Sequence, residues 1–326
     1  MSTSAIALHR PAVVVAGIQL PALFAGGGER EAIRVAEFFA AQIRNPNTRR
    51  AYLRATMDFS RFMEERGLVQ LGSVQPLHVA AWVETQLKAY SKPTVKQQLA
   101  AVKMLFDWLV VGQVVASNPA SSVRGPKHSI KRGKTPVLDA ATTRKLLDSI
   151  ETHTDIGRRD RALIGTMVYT FARIGAVVQM TVGDYFYQGH RPWARLHEKG
   201  GKEHEMPVHH ALHDLLEVYL DGAGIKTDPK GFLFRTVAGR SGQLTAKPLS
   251  QSDAWNMVQR RAAAAGVLTR LTNHSFRATG ITVYLESGGK LEVAQQMANH
   301  ESSRTTGLYD RRSDLIAIDE IERIRL

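Results

Sequence analysis

The sequence predicts a mainly α-helical protein with a small antiparallel β-sheet, built in two parts joined by a basic linker. Three observations lead there. Apolar residues recur at three- and four-residue spacing through the first part of the chain. Between Ser121 and Thr135 lie five basic residues and no acidic one, interrupted by Gly125, Pro126 and Gly133, as in an extended connector. Beyond it, helical periodicity is broken by an alternating segment folded about Gly200–Gly201.

Taken in order, residues 1–28 read as an N-terminal extension and 29–120 as a helical part. Arg34 to Ala41 suits a first helix. Thr48 is the expected cap of a second, with Tyr52, Ala55, Phe59, Phe62 and Met63 on one side and Gly67 as its stop. Leu77 to Leu87 suits a short third helix. Ser91 and Pro93 open a fourth, which sets Val95, Leu99, Val102, Phe106 and Leu109 on one face, with Lys92, Lys96 and Lys103 around its polar surface. Four helices of this size can close a bundle around one core. Residues 121–135 form the linker, with Arg124, Lys127, Lys131, Arg132 and Lys134 as candidate phosphate contacts. In 136–312, helices are expected at Ala141–Ile150, Arg159–Tyr169, from just after Arg173 to near Met180, at His209–Leu220, at Gln251–Ala264, after a capping Asn273, and at Leu291–Met297. Trp193 to Val208 reads as a hairpin, and Asp221 to Gly231 as turns. Residues 313–326 suit a short amphipathic helix.

The chain has 326 residues, 44% of them hydrophobic and 22% charged, which is ordinary for a folded protein and long enough for two cores. No apolar run approaches the roughly 18 residues of a membrane span, so no membrane association is expected. Cysteine is absent, which excludes disulfides, thiolate catalysis and cysteine-held metals; it fits a cytoplasmic setting. A formal charge of +13 favours a polyanionic partner through attraction and counterion release.

The sharpest local motif is His274-Ser-Phe-Arg277. At a helix start, its imidazole and guanidinium share one face and can converge on a phosphate beside free helix N–H groups. Arginine suits that task because its planar fork donates to two oxygens and stays charged. Arg173 supplies a second guanidinium at another helix start. Lys199, in Lys-Gly-Gly-Lys, carries an ammonium at the hairpin tip, with Lys202 as the alternative. Asn299-His300 is followed by Tyr309. Any one of these alone reads as a surface or packing residue; together they suit holding a phosphodiester and attacking it with a phenol.

This order, an arginine, a hairpin lysine, His-x-x-Arg, a histidine and a tyrosine, resembles the tyrosine recombinase or phage integrase family over about residues 30 to 320. The resemblance implies a helical DNA core-binding domain followed by an α+β catalytic domain. It implies site-specific cleavage and rejoining of DNA through a 3′-phosphotyrosyl intermediate, with no cofactor and no metal. Tyr309 would be the nucleophile and His274 its base. Arg173 and Arg277 would hold the phosphate, Lys199 would protonate the leaving oxygen, and His300 would support the phosphate. The implied partners are double-stranded DNA bearing a specific site, a homo-tetramer on two paired sites, and accessory proteins, with residues 313–326 docking on a neighbouring protomer. Two other readings are a catalytically silent architectural DNA-binding protein of the same fold and a type IB-like topoisomerase. The chain departs from the family pattern at Ala176, where a glutamate is common, at Ala278, where a histidine is common, and at Asn299, where glycine commonly stands.

Overall fold

The computed structural model describes residues 13–15, 18–128, 133, 135–198, 201–239 and 241–310. The chain divides into two compact units, Met1–Ser129 and Ile130–Leu326. The first is helical, and the second adds a three-stranded antiparallel sheet and a separate strand pair to a helical body.

The first unit begins with a strand pair, β1 (Val13–Val15) and β2 (Ile18–Leu20), and a single turn α1 (Ala22–Ala25). Leu20, Leu23 and Phe24 of this stretch are buried in the unit's core. Helix α2 (Glu29–Glu37) starts earlier than the apolar pattern suggests and widens into a π-helical turn, Phe38–Gln42. That wider turn changes the phase of the helix and lets both Phe38 and Phe39 enter the core. Helix α3 (Pro46–Glu64) is not capped by Thr48. Asn45 caps it instead, its Oδ1 accepting the Asn47 and Thr48 amides at 2.9 and 3.1 Å, with Pro46 preset for the first helical position. Helices α4 (Pro76–Ala89) and α5 (Lys92–Val111) follow the predicted spacing. Phe59 on α3 packs edge-on against Trp82 of α4 and Phe106 of α5, with centroids 5.2 and 6.0 Å away, so one aromatic cluster joins three helices. Trp108 fastens α2 to α5, its Nε1 donating to the Arg34 carbonyl at 3.0 Å beneath the Arg34 guanidinium.

The second unit opens with α6 (Ala140–Asp148) and α7 (Asp155–Tyr169), capped by Asp139 and Thr154. The helix expected to run toward Met180 lasts only one turn, α8 (Ile174–Val177). A tight turn follows, in which the Thr181 amide and hydroxyl both donate to Asp184 Oδ2 at 2.8 and 2.9 Å. This turn feeds β3 (Tyr185–Gln188), which pairs with β4 (Arg191–Glu198), which pairs in turn with β5 (Lys202–Pro207). The expected hairpin is therefore β4–β5, and it gains a third strand too short to show an alternating pattern. Helix α9 (His210–Gly222), the pair β6 (Arg235–Val237) and β7 (Leu244–Pro248), and α10 (Gln251–Ala264) follow. No periodic element was expected where β6 and β7 stand.

Helix α11 (Ser275–Glu286) runs through the middle of this unit and is buried from Ser275 to Thr282 without a break. A helix buried all round needs close neighbours. Gly280 permits one: a Cβ there would lie 2.2 Å from the Val168 carbonyl oxygen on α7 and 2.6 Å from the Phe171 ring. Helices α12 (Leu291–Met297) and α13 (Ser303–Gly307) pack after it, with Phe171, Ile281, Leu285, Ala294 and Ala298 forming a small core of their own.

Candidate active site

The cleft grows out of three chain reversals around α11. At the first, Phe171 takes φ +54° just ahead of Arg173, which stands at the start of α8. A bulky residue in the left-handed region is strained, and its neighbours hold it there. Phe171 is buried in one small core with Ile281 and Leu285, and its carbonyl accepts a hydrogen bond from Arg277 Nη1. Arg277 Nη2 donates to the carbonyl of Ala298, which ends α12. Arg277 therefore ties the loop before α8 to the end of α12. Its side chain is only 2% exposed, and burial, followed by repulsion from Arg173, pulls its pKa down to about 10, so it stays charged at neutral pH.

Arg277 was expected to sit in a helix capped by Asn273. The structure instead has His274 at the capping position, while Thr272 and Ser275 bond reciprocally: the Thr272 amide donates to Ser275 Oγ at 2.8 Å and the Ser275 amide to the Thr272 carbonyl at 3.0 Å. Asn273 points its chemistry at neither group and remains exposed. His274 keeps solvent access at this helix start, yet surrounding protein atoms desolvate the ring, and Arg277 and then Arg173 add repulsion. All three lower its pKa from 6.5, so it is a neutral imidazole able to accept a proton.

At the third reversal Asn299 takes φ +46° and turns the chain so that His300 enters the interior. Asparagine tolerates this conformation best after glycine, which accounts for its presence there. His300 Nδ1 shares a hydrogen bond of 2.9 Å with the Thr306 hydroxyl. Burial, then Arg277, then Arg173 push the ring down to about 4, so it is neutral. Tyr309 lies nearly parallel to it, with ring centroids 5.9 Å apart at 10°. The Tyr309 backbone is held at both ends: its amide donates to the Thr306 carbonyl at 2.9 Å, and its carbonyl accepts from Thr282 Oγ1 at 3.0 Å.

The second unit thus brings together Arg173, His274, Arg277, His300 and Tyr309. A cleft of about 530 Å³ opens among Arg173, Glu198, Lys202, Asn299, His300 and Thr305. Lys202 on β5 pairs with Glu301 across it at 2.6 Å. Lys199 lies outside the described residues. Sequence reasoning missed Glu198, the last residue of β4, whose buried carboxylate pairs with Arg173 Nη1 and stands 3.9 Å from Arg277 Nη1. It also missed Phe171 and Thr306. Ala176 and Ala278, the two positions that depart from the family pattern, are both buried in packed surroundings.

In the first unit Lys92, Lys96, Arg124 and Lys127 are exposed. A Cβ on Gly125, between the last two, would lie 3.5 Å from Lys96 Cγ, so this segment passes close to α5. Lys103 differs, because its ammonium donates to the Ser121 carbonyl at 3.2 Å and anchors the segment after α5. Lys131, Arg132 and Lys134 lie outside the described residues.

Several known proteins are similar to this chain. Tyrosine recombinase XerD of Mycobacterium leprae (strain TN) is 28% identical over 284 residues, covering 81% of this chain and 86% of its own. Tyrosine recombinase XerC of Corynebacterium efficiens is 28% identical over 234 residues, covering 71% and 72%. Among solved structures, a lambda integrase dimer bound to a COC′ core site superposes with a TM-score of 0.67 at 16% identity, covering 88% of this chain and 80% of that one. The XerH recombinase in a post-cleavage complex with palindromic difH substrate superposes at 0.64 and 19% identity, covering 80% and 75%. Those two likenesses establish the shared fold. The profile of the phage integrase N-terminal SAM-like domain matches residues 37–112, and that of the phage integrase family matches residues 136–315. This chain belongs to the phage integrase family.

Proposed function

We propose that this protein is a site-specific DNA recombinase that cuts and rejoins DNA through Tyr309. The observation that carries the reading is the convergence of two guanidiniums, two neutral imidazoles and one phenol in the second unit, beside a cleft lined by Arg173 and His300. A phenol is a weak nucleophile at neutral pH and must lose its proton as it attacks. Tyr309 Oη attacks the scissile phosphorus, its proton passing to neutral His274. The bond from phosphorus to the 5′ oxygen breaks, leaving a 3′-phosphotyrosyl enzyme and a 5′-hydroxyl once Lys199 has protonated the leaving oxygen. Arg173 and the remaining N–H groups of Arg277 stabilise the charge on the nonbridging oxygens. His300, neutral and oriented by Thr306, donates a further hydrogen bond to the phosphate. A 5′-hydroxyl from a second strand then attacks the phosphotyrosine and reseals the chain, so bond energy is conserved and no nucleotide cofactor is needed.

Exposed Lys92, Lys96, Arg124 and Lys127 hold the backbone of the duplex, and the charge of +13 draws it in. The structural relatives include a lambda integrase tetramer bound to a Holliday junction, which supports a tetramer on two paired sites here; residues 313–326, which lie outside the described residues, would link neighbours. Two labelled duplexes carrying one captured site each provide the test. Site-dependent exchange of strands between them is the expected result. Relaxation of supercoiled DNA without paired sites would mark a topoisomerase, and binding with neither reaction would mark an architectural protein.

A further inference from the structure

We infer that Glu198 is the positioning residue of this site: a buried carboxylate that holds Arg173 in its phosphate-facing pose and locks the β4–β5 hairpin to the arginine pair. The inference rests on the strand-cleaving reading of the site. Three features of the cluster carry it. The Glu198 side chain is 4% exposed and Arg277 is 2% exposed, whereas Arg173 is 38% exposed. The carboxylate is therefore enclosed between the guanidiniums while Arg173 keeps an open edge. Glu198 Oε2 accepts from Arg173 Nη1, so that fork is gripped on its inner side and leaves its other N–H groups for an anion in the cleft.

The charge arithmetic points the same way. Two guanidiniums this close repel each other, and Arg173 already counts among the causes that weaken protonation of Arg277, against which Glu198 acts. One carboxylate between them leaves a net single positive charge, enough to attract phosphate without driving the arginines apart. A buried, hydrogen-bonded charge of this kind does not swing out to exchange with substrate, because leaving it unpaired inside the protein is costly. Glu198 therefore acts through Arg173 and not on the DNA.

Position in the sheet extends the role. Glu198 is the last residue of β4 and lies opposite Lys202 at the start of β5. A shift at this end of β4 thus moves the carboxylate, and with it Arg173. The paired ends of β4 and β5 and the two arginines are coupled through one side chain.

The test is Glu198→Gln, which keeps the shape and one acceptor oxygen but removes the charge. Single-turnover cleavage of nicked suicide DNA is read beside DNA affinity and thermal unfolding. Cleavage is expected to fall about 10- to 100-fold, as misplacement of a transition-state donor does, with affinity at low salt equal to or tighter than wild type. In an Arg173→Lys background the same substitution should cost less than about twofold, since the group it positions is already impaired. Cleavage within about twofold of wild type, or cleavage and affinity falling in parallel with stability, or full multiplication of the two effects, would overturn the proposal. If Glu198→Gln does not fold, Glu198→Asp replaces it: cleavage loss exceeding binding loss supports the proposal, and equal losses overturn it. Absence of a covalent adduct from the wild-type protein would instead overturn the strand-cleaving reading itself.

Discussion

Replacing Arg277 with lysine separates the structural work of this residue from its charge. The guanidinium reaches two carbonyls at once, those of Phe171 and Ala298, from a position 2% exposed. Lysine keeps the positive charge but carries one ammonium on a straight stem, which cannot span what a planar fork spans. One carbonyl loses its partner inside the protein. A hydrogen bond to a charged group contributes about 1.5–3 kcal/mol net, and in a unit of this size each kcal/mol moves Tm by about 2–4 °C. The variant should therefore melt about 3–12 °C below wild type and cleave DNA at least about 100-fold more slowly. Arg173→Lys is the matched control. Its guanidinium is 38% exposed, and a lysine there can keep an ion pair with Glu198, so the stability loss should stay under about 1 kcal/mol while cleavage falls by a similar factor. Thermal melting of both variants followed by circular dichroism decides the matter. Equal melting of Arg277→Lys and wild type, or equal losses in the two variants, would refute the assignment of Arg277 as a tie between two loops.

The remaining predictions concern pH, backbone and charge. His300 has a folded pKa of about 4 against 6.5, so the unfolded chain takes up a proton first as pH falls. Its contribution is complete above pH 6.5 and is lost progressively toward pH 4, on the order of 3 kcal/mol in all. His300→Gln should flatten that part of the stability curve in urea titrations at stepped pH. Cleavage should also show an acid limb below pH 6.5, as neutral His274 gains a proton, and His274→Gln should remove the limb along with most of the rate. Asn299→Gly should fold as well as wild type, while Asn299→Val, forced to φ +46°, should lose about 1–2 kcal/mol and slow cleavage by displacing His300. Lys96→Ala with Lys127→Ala should weaken DNA binding evenly across sequences and lower the slope of log affinity against log salt by about one for each phosphate no longer neutralised. Lys103→Ala should change that slope less, because its ammonium is committed to the Ser121 carbonyl.

The helices of the first unit were legible because each buries one stripe. Val95, Leu99, Val102, Phe106 and Leu109 fall on one face and are all buried. Helix α11 was harder to read, since a helix buried on every side shows no stripe, and its start depends on the reciprocal Thr272–Ser275 bonds and not on Asn273. Strands β3, β6 and β7 span five residues at most and carry too few alternations to register. Within the site, Arg173, His274, Arg277, His300 and Tyr309 were legible through their order along the chain. Glu198 was not, because its meaning lies in a partner 25 residues away and in burial, which no local pattern encodes. The strained Phe171 was invisible for a related reason: only its carbonyl, aimed at Arg277, reveals what the positive φ achieves. Asn299, a departure when read as sequence, becomes intelligible once its left-handed backbone is known.

The central claim is that the Tyr309 phenol becomes joined to DNA. Wild-type protein and Tyr309→Phe, each incubated with nicked suicide duplexes bearing the captured site, can be digested with nuclease and protease and the adducted peptide sequenced by mass spectrometry. A nucleotide linked through its 3′-phosphate to Tyr309 in wild type, and no adduct in the variant, is the predicted result. An adduct on another residue, a 5′-phosphate linkage, or an undiminished adduct in Tyr309→Phe would contradict it.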